Sequence, residues 1–246
     1  MAARQINAFY SRTQILHDVS LAMNANAVTA IIGPTGCGKS TFLRCLNRMH
    51  ETVAGARMTG RVVLGSTDLY AMDAVEVRRT VGMVFDRPNP FPTLSIFDNV
   101  AAGLRLNGIR QKDLLIERVQ AVLSMTALWD EVKDRLEKPA IHLQSGQQQR
   151  LCLARALALE PAVVLLDEPA STLDPSSTLQ LEELIEQLKD RYTVVLVTHN
   201  LQQAARVADT TAFFLDGHLI ETGRTIDIFT NPSDTRTEDY ITGRRS

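Results

Sequence analysis

The residues Gly33-Pro34-Thr35-Gly36-Cys37-Gly38-Lys39-Ser40 follow the apolar run Val28–Ile32 and lead into Thr41-Phe42-Leu43-Arg44-Cys45-Leu46, which reads as a helix. Strand, glycine-rich turn and helix in that order make a phosphate-binding loop. The spacing has a physical cause. Glycines let successive backbone N–H groups turn inward around an anion, and the helix N-terminus behind them adds positive partial charge. Gly33 to Ser40, with Thr41 in the first helical turn, are the expected nucleotide contacts. Lys39 is expected to reach the β- and γ-phosphates. Ser40 is expected to offer its hydroxyl to Mg²⁺, a hard cation that takes oxygen ligands.

Composition narrows the classes around that loop. A chain of 246 residues has ample length for a core, and its formal charge of −2 supplies no basic field that would recruit nucleic acid. No apolar stretch reaches the ~18 residues of a membrane span. The longest candidate, 151–166, is broken by Arg155 and Glu160-Pro161, and the start Met1-Ala2-Ala3-Arg4-Gln5 lacks an apolar signal core. Cys37, Cys45 and Cys152 have no paired or metal-ligand spacing and read as reduced thiols of a cytosolic protein. Beside Lys39 and a helix start, Cys37 is expected to have its thiolate favoured.

Four runs rich in branched aliphatic residues, Val28–Ile32, 81–85, 163–166 and Thr193–Val197, read as buried parallel strands joined by helical crossovers. Each ends in glycine or polar residues: Gly33 onward, Asp86, Asp167-Glu168 and Thr198-His199-Asn200. Ligands of open α/β sheets bind beyond the carboxyl ends of strands, so these groups are expected to converge on one nucleotide. Between the second and third runs, the proline-rich 87–92 precedes two helical patterns, 95–106 and 112–129, which suggest an inserted helical subdomain. Weaker alternation in 4–23 and 56–70 suggests an antiparallel sheet at one edge.

Asp167 and Glu168 form a carboxylate pair at a strand end, with Asp167 expected at the metal and Glu168 as general base for an attacking water. Phosphoryl transfer asks mainly for an in-line water and stabilised phosphate charge. His199 is placed to hydrogen-bond the γ-phosphate or that water. The segment Leu143-Gln144-Ser145-Gly146-Gln147 opens an alanine- and leucine-rich helix over 151–159, with Ser145 as its N-cap. Its N-terminus is a second anion site, which makes sense if it serves the nucleotide of another subunit.

Together the loop at 33–40, Asp86, 143–147, Asp167-Glu168, Ser171-Thr172-Leu173-Asp174 and His199 resemble the ATP-binding cassette family, the ATPase subunits of ABC transporters. The resemblance implies an α/β P-loop fold: a mostly parallel core with an antiparallel β edge and an inserted helical subdomain. Residues 1–246 would be one cassette, with 1–85 and 146–246 forming the nucleotide core and 86–145 the helical part facing membrane subunits, Phe91 and Phe97 among its contacts. It further implies ATP and Mg²⁺ as cofactors, Tyr10 stacking on adenine, and Ser40, Asp86 and Asp167 around the metal. The expected assembly is a head-to-tail homodimer in which each ATP lies between one P-loop and the partner's 143–147 segment, here Gln144, Ser145, Gly146 and Gln147. Within the family, strings such as Arg87-Pro88-Asn89-Pro90-Phe91-Pro92 and Thr198-His199-Asn200-Leu201-Gln202-Gln203 are similar to the ATPases of bacterial phosphate importers. That similarity implies two membrane permease subunits, a periplasmic or extracellular phosphate-binding protein and a peripheral place on the cytoplasmic face of the membrane.

Two positions depart from the family pattern. Asp86 stands where the family has glutamine; one extra negative charge ~4 Å from a γ-phosphate oxygen costs at most about 4 kcal/mol at an effective dielectric of 20, partly offset by attraction to a metal. Gln144 and Ser145 replace serine and glycine, and loss of one preorganised donor costs ~10²–10³ in rate. Three readings follow: a working importer ATPase, a cassette that binds nucleotide but turns over slowly in a regulatory role, and a soluble ABC ATPase outside transport.

Overall fold

Alternating residues at the start of the chain pair into a small sheet of their own. In the computed structural model, which describes residues 1–244, β1 (Ala2–Tyr10) and β2 (Thr13–Ala22) are followed by β3 (Val28–Ile32) and α1 (Lys39–Leu46), then by β4 (Ala56–Leu64) and β5 (Thr67–Asp68). Four of these strands form an antiparallel sheet in the order β2-β1-β4-β5, the edge sheet that the weak alternation suggested. A bulge bends β1 at Gln5, whose φ is 53°. Gly60 of β4 faces it, and a Cβ there would come 2.4 Å from the Gln5 carbonyl oxygen, so the position excludes a side chain.

The chain continues with α2 (Ala74–Thr80), β6 (Val81–Val84), α3 (Ile96–Leu106), α4 (Lys112–Met125), α5 (Trp129–Val132) and α6 (Ser145–Leu157). It ends with β7 (Val163–Asp167), α7 (Pro175–Leu188), β8 (Thr193–Val197), α8 (Leu201–Val207), β9 (Thr210–Leu215), β10 (His218–Arg224), α9 (Thr225–Thr230) and α10 (Thr235–Ile241). The larger sheet has the order β10-β9-β3-β8-β7-β6, parallel except for β10. Every residue of β3, β7 and β8 is buried, as unbroken aliphatic runs demand in a sheet covered on both faces. Strands β9 and β10 lie beyond the four expected; Asp216 and Gly217, both at positive φ, turn one into the other.

Helices α3, α4 and α6 share one core with the sheet, in which Val100, Leu104, Val119 and Leu123 meet Leu151, Leu166 and Leu196. Each fully buried Val or Leu contributes about 1.5–3 kcal/mol. The helix expected over 112–129 stops at Met125. Ala127 adopts φ 50°, the Leu128 N–H turns back to the Leu123 carbonyl at 2.9 Å, and buried Leu128 seals the end. This is a helix stop made without glycine, at a cost of about 1–2 kcal/mol for the left-handed residue.

Candidate nucleotide site

The strand order brings four loops side by side. β3, β8, β7 and β6 are neighbours, so the P-loop, His199, Asp167-Glu168 and Asp86 emerge along one edge of the sheet. Convergence beyond the carboxyl ends of strands is therefore realised for these groups.

The loop is seated by close backbone contact. A Cβ on Gly33 would stand 2.2 Å from the Phe214 carbonyl oxygen, and one on Gly38 (φ 103°) 2.8 Å from a methyl of Leu16. The Gly217 N–H donates to the Cys37 carbonyl at 3.0 Å, tying the loop to the β9–β10 turn. Pro34 is half-buried and Thr35 and Gly36 are exposed, so the open rim of the loop lies there. Lys39 is 4 % exposed and donates from Nζ to the carbonyls of Gly33 at 2.7 Å and Pro34 at 2.8 Å. Its charge lies folded across the loop. Cys37 departs from expectation: burial pushes its thiol above the ordinary range, and the nearby Lys39 only partly offsets this.

Ser40 and Asp167 meet directly. Ser40 Oγ donates to Asp167 Oδ1 at 2.7 Å, while the Arg44 guanidinium stands 3.9 Å from Oδ2. Burial raises the Asp167 carboxyl, Ser40 and Arg44 pull it down, and the charges of Asp86 and Glu168 push it up again. Two hard oxygen donors, with the carboxylates of Asp86 and Glu168 near enough to be felt, suit a hard divalent cation. Among the described residues there is no group of three or more His, Cys, Asp or Glu side chains that would hold a metal alone. Such a cation would complete its shell with phosphate oxygens and water.

Glu168 and His199 form the second pair. Glu168 has φ 46°, a left-handed conformation uncommon for a non-glycine residue, fixed by its N–H donating to the Val197 carbonyl at 2.9 Å. His199 Nδ1 lies 2.9 Å from Glu168 Oε2. The pair lines a cavity of about 410 Å³ with Ser171, Thr198, Asn200 and Gln203. His199, expected at the phosphate or the water, is bound here to the acid itself.

Asp86 is exposed just past β6, which ends one residue earlier than its aliphatic run. The Phe85 carbonyl is taken by Gln149 Nε2 at 2.9 Å, and the Asp86 carbonyl accepts from Ser171 Oγ at 3.1 Å. Tyr10 ends β1, half-buried and paired with Thr13 and Ala56, in the other sheet and outside the bonded cluster around the loop.

Residues 144–147 lie apart from this cluster. They line a separate cavity of about 400 Å³ with Thr172, Asp174, Ser176 and Ser177. The N-cap of α6 is Gln144, and Ser145 is the first helical residue, contrary to the expected cap. A capping box explains it. The Gln144 side chain accepts from the Gln147 backbone N–H, and the Gln147 side chain accepts from the Gln144 N–H at 3.1 Å. Gln147 Nε2 donates to Glu131 at 2.6 Å, and Glu131 pairs with Arg150 at 2.8 Å. Gly146 packs so closely on α7 that a Cβ would come 2.5 Å from Ser177 Oγ. Glu131, Gln149 and Arg44 were not singled out by the sequence; each acts through a contact distant along the chain.

The described residues include no helix long and apolar enough to cross a membrane. A family model described as ABC transporter matches residues 16–171. The chain is also 62 % identical over 244 residues, 98 % of its length and 96 % of the relative's, to a Koribacter versatilis (strain Ellin345) protein named phosphate import ATP-binding protein PstB. On both matches the chain belongs to the ABC transporter family of ATP-binding proteins.

Proposed function

We propose that this chain is the ATP-hydrolysing subunit of an importer of inorganic phosphate. It works as a head-to-tail pair on the cytoplasmic face of the membrane with two permease subunits and an external phosphate-binding protein. The name carried by the 62 %-identical relative supports the substrate. The observation that carries the mechanism is the placing of Glu168-His199 and of 144–147 in two different cavities of one chain. A second copy supplies the missing half of each site.

In this mechanism Lys39 leaves the Gly33 and Pro34 carbonyls for the phosphates. His199 donates its Nδ1–H to Glu168 Oε2, which orients the carboxylate and leaves Oε1 to accept a proton from the attacking water. Mg²⁺, held by Ser40 and Asp167 with Asp86 close by, would neutralise charge on the transferred phosphoryl group. Residues 86–145 serve as the membrane-facing part. Phe91, 46 % exposed, is the cleaner probe of that contact because Phe97 packs against the core.

A slow cassette is the second reading, favoured by the Gln144 side chain occupying the helix-start donor that a partner's phosphate would use. MgATP hydrolysis by the purified chain, compared with Asp86→Gln, Gln144→Ser with Ser145→Gly, and Glu168→Gln, separates the two. Activity lost only in Glu168→Gln supports a working ATPase. Activity that emerges only on restoring the two motifs supports the slow one. Phosphate uptake by cells that depend on this chain tests the substrate, and uptake independent of it overturns the importer assignment.

A further inference from the structure

The last helix, α10, is seven residues long, too short to hold its shape alone in water, so its docking decides where it lies. Its start is tied to β10. Glu221 accepts from the Ser233 N–H at 2.7 Å and the Asp234 N–H at 3.2 Å, and Asp234 caps the helix by accepting from the Arg236 N–H at 2.8 Å. Thr237, fully buried, pins the middle. The end delivers half-buried Tyr240, whose ring stacks on Phe213 of β9 with centroids 4.9 Å apart. Packed in the same cluster are Ile32, the last residue before the P-loop, and Leu201 and Ala204 of α8, the helix that follows His199.

The polar end of that ring faces the loop itself. Burial and the nearby Cys37 push the Tyr240 phenol up, the Gly33 N–H bonds its oxygen and pulls it down, and Glu168 pushes it up again. A phenylalanine would fill the stack without burying a hydroxyl; what the hydroxyl adds is the bond to Gly33. Gly33 needs such a hold. Its φ is 147°, it has no Cβ to limit rotation, and its carbonyl is one of the two on which Lys39 Nζ rests. The Phe214 carbonyl, next along β9 from the stacked Phe213, closes the other side of Gly33.

We propose that Tyr240 is a positioning residue for nucleotide binding: its hydroxyl holds Gly33, and through Gly33 the phosphate-binding loop, in the shape that receives the phosphates. The C-terminal helix then belongs to the nucleotide site through this one contact. The inference deepens the nucleotide-site reading and rests on it.

The test is Tyr240→Phe in the full chain, which keeps the ring and its stack and removes only the hydroxyl. Without nucleotide, exchange of the Gly33 backbone amide should speed up by about threefold to tenfold, the range that one net hydrogen bond is worth, while amides within β7 are unchanged. Equilibrium binding of MgADP, which is not hydrolysed, should weaken by a similar factor. A lowered thermal midpoint with MgADP affinity unchanged would make Tyr240 a packing residue and overturn the inference. Unchanged exchange at Gly33, or tighter binding, would overturn it too. A parent chain that binds no MgADP, or a Lys39→Ala variant that binds it as tightly as the parent, would instead defeat the nucleotide-site reading, and the inference with it.

Discussion

The P-loop and the start of α6 are both helix N-termini suited to anions, yet they are built in opposite ways. At the P-loop, glycines open the backbone and the side-chain cation lies on two carbonyls of the loop itself. At α6, a long amide side chain folds back on the helix start, and Glu131 with Arg150 braces the fold. The first keeps its donors free by bonding its charge elsewhere; the second satisfies a donor with its own Gln144. On the slow-cassette reading, the difference puts the limit on turnover at the face offered to the partner rather than at the acid–histidine pair.

The largest effect should come from Glu168→Gln. Removing the base should lower kcat by about 10³-fold with ATP affinity kept, since general-base catalysis is worth ~10²–10⁴. Steady-state hydrolysis and equilibrium binding check it. A variant that still turns over within a few-fold of the parent would remove Glu168 from the chemistry and leave the strand-end half no better built than the other.

Next is the repair of the α6 start. If the cassette is the slow one, Gln144→Ser with Ser145→Gly should raise kcat by about tenfold or more, against the ~10²–10³ that one transition-state donor is worth; a working ATPase should change little. Unchanged turnover would show that Gln144 swings aside at no cost, and the contrast between the two helix starts would lose its kinetic meaning.

Gly146→Ala sharpens the contrast through stability. The new Cβ would meet Ser177, whose Oγ donates to Asp174 at 2.6 Å, so the hydroxyl cannot yield without losing that bond. Destabilisation of about 1–3 kcal/mol is expected, read as a lowered thermal midpoint. Adding Ser177→Gly should recover part of it; failure of that rescue would mean that α6 and α7 are not locked at this contact.

How much of this was legible differs between the same two regions. The P-loop and the strand ends could be read because their chemistry is local: glycines, a lysine and carboxylates at fixed offsets from aliphatic runs. The α6 start could not, because serine is the better cap by propensity, and what favours Gln144 is a reciprocal bond with Gln147 braced from Glu131 in a distant helix. The break after Met125 was hidden for the same reason, since alanine gives no sign of a left-handed turn. Strand order, which sets His199 between the P-loop and the acids, depends on pairings that no local run encodes.

The smallest effect concerns Cys37, where loop chemistry read from sequence points the wrong way. Proximity to Lys39 favours a thiolate, but the thiol is buried and desolvation outweighs the ammonium. Since the thiolate is the reactive form, alkylation of Cys37 should be slower at pH 7 than that of a free thiol of pKa about 8.5. It should rise with pH up to the raised pKa, about tenfold per unit. Cys45, pushed up to about 12 by burial, and Cys152, raised by burial, should be slower or unaffected by ligand. ATP should slow Cys37 further, because phosphates bring negative charge and draw Lys39 away from the loop carbonyls. Peptide mapping after brief alkylation reads all three sites. Fast labelling of Cys37 at pH 7 would mean that the loop stands open and that Lys39 already points toward the phosphates; the two helix starts would then differ in sequence but not in readiness.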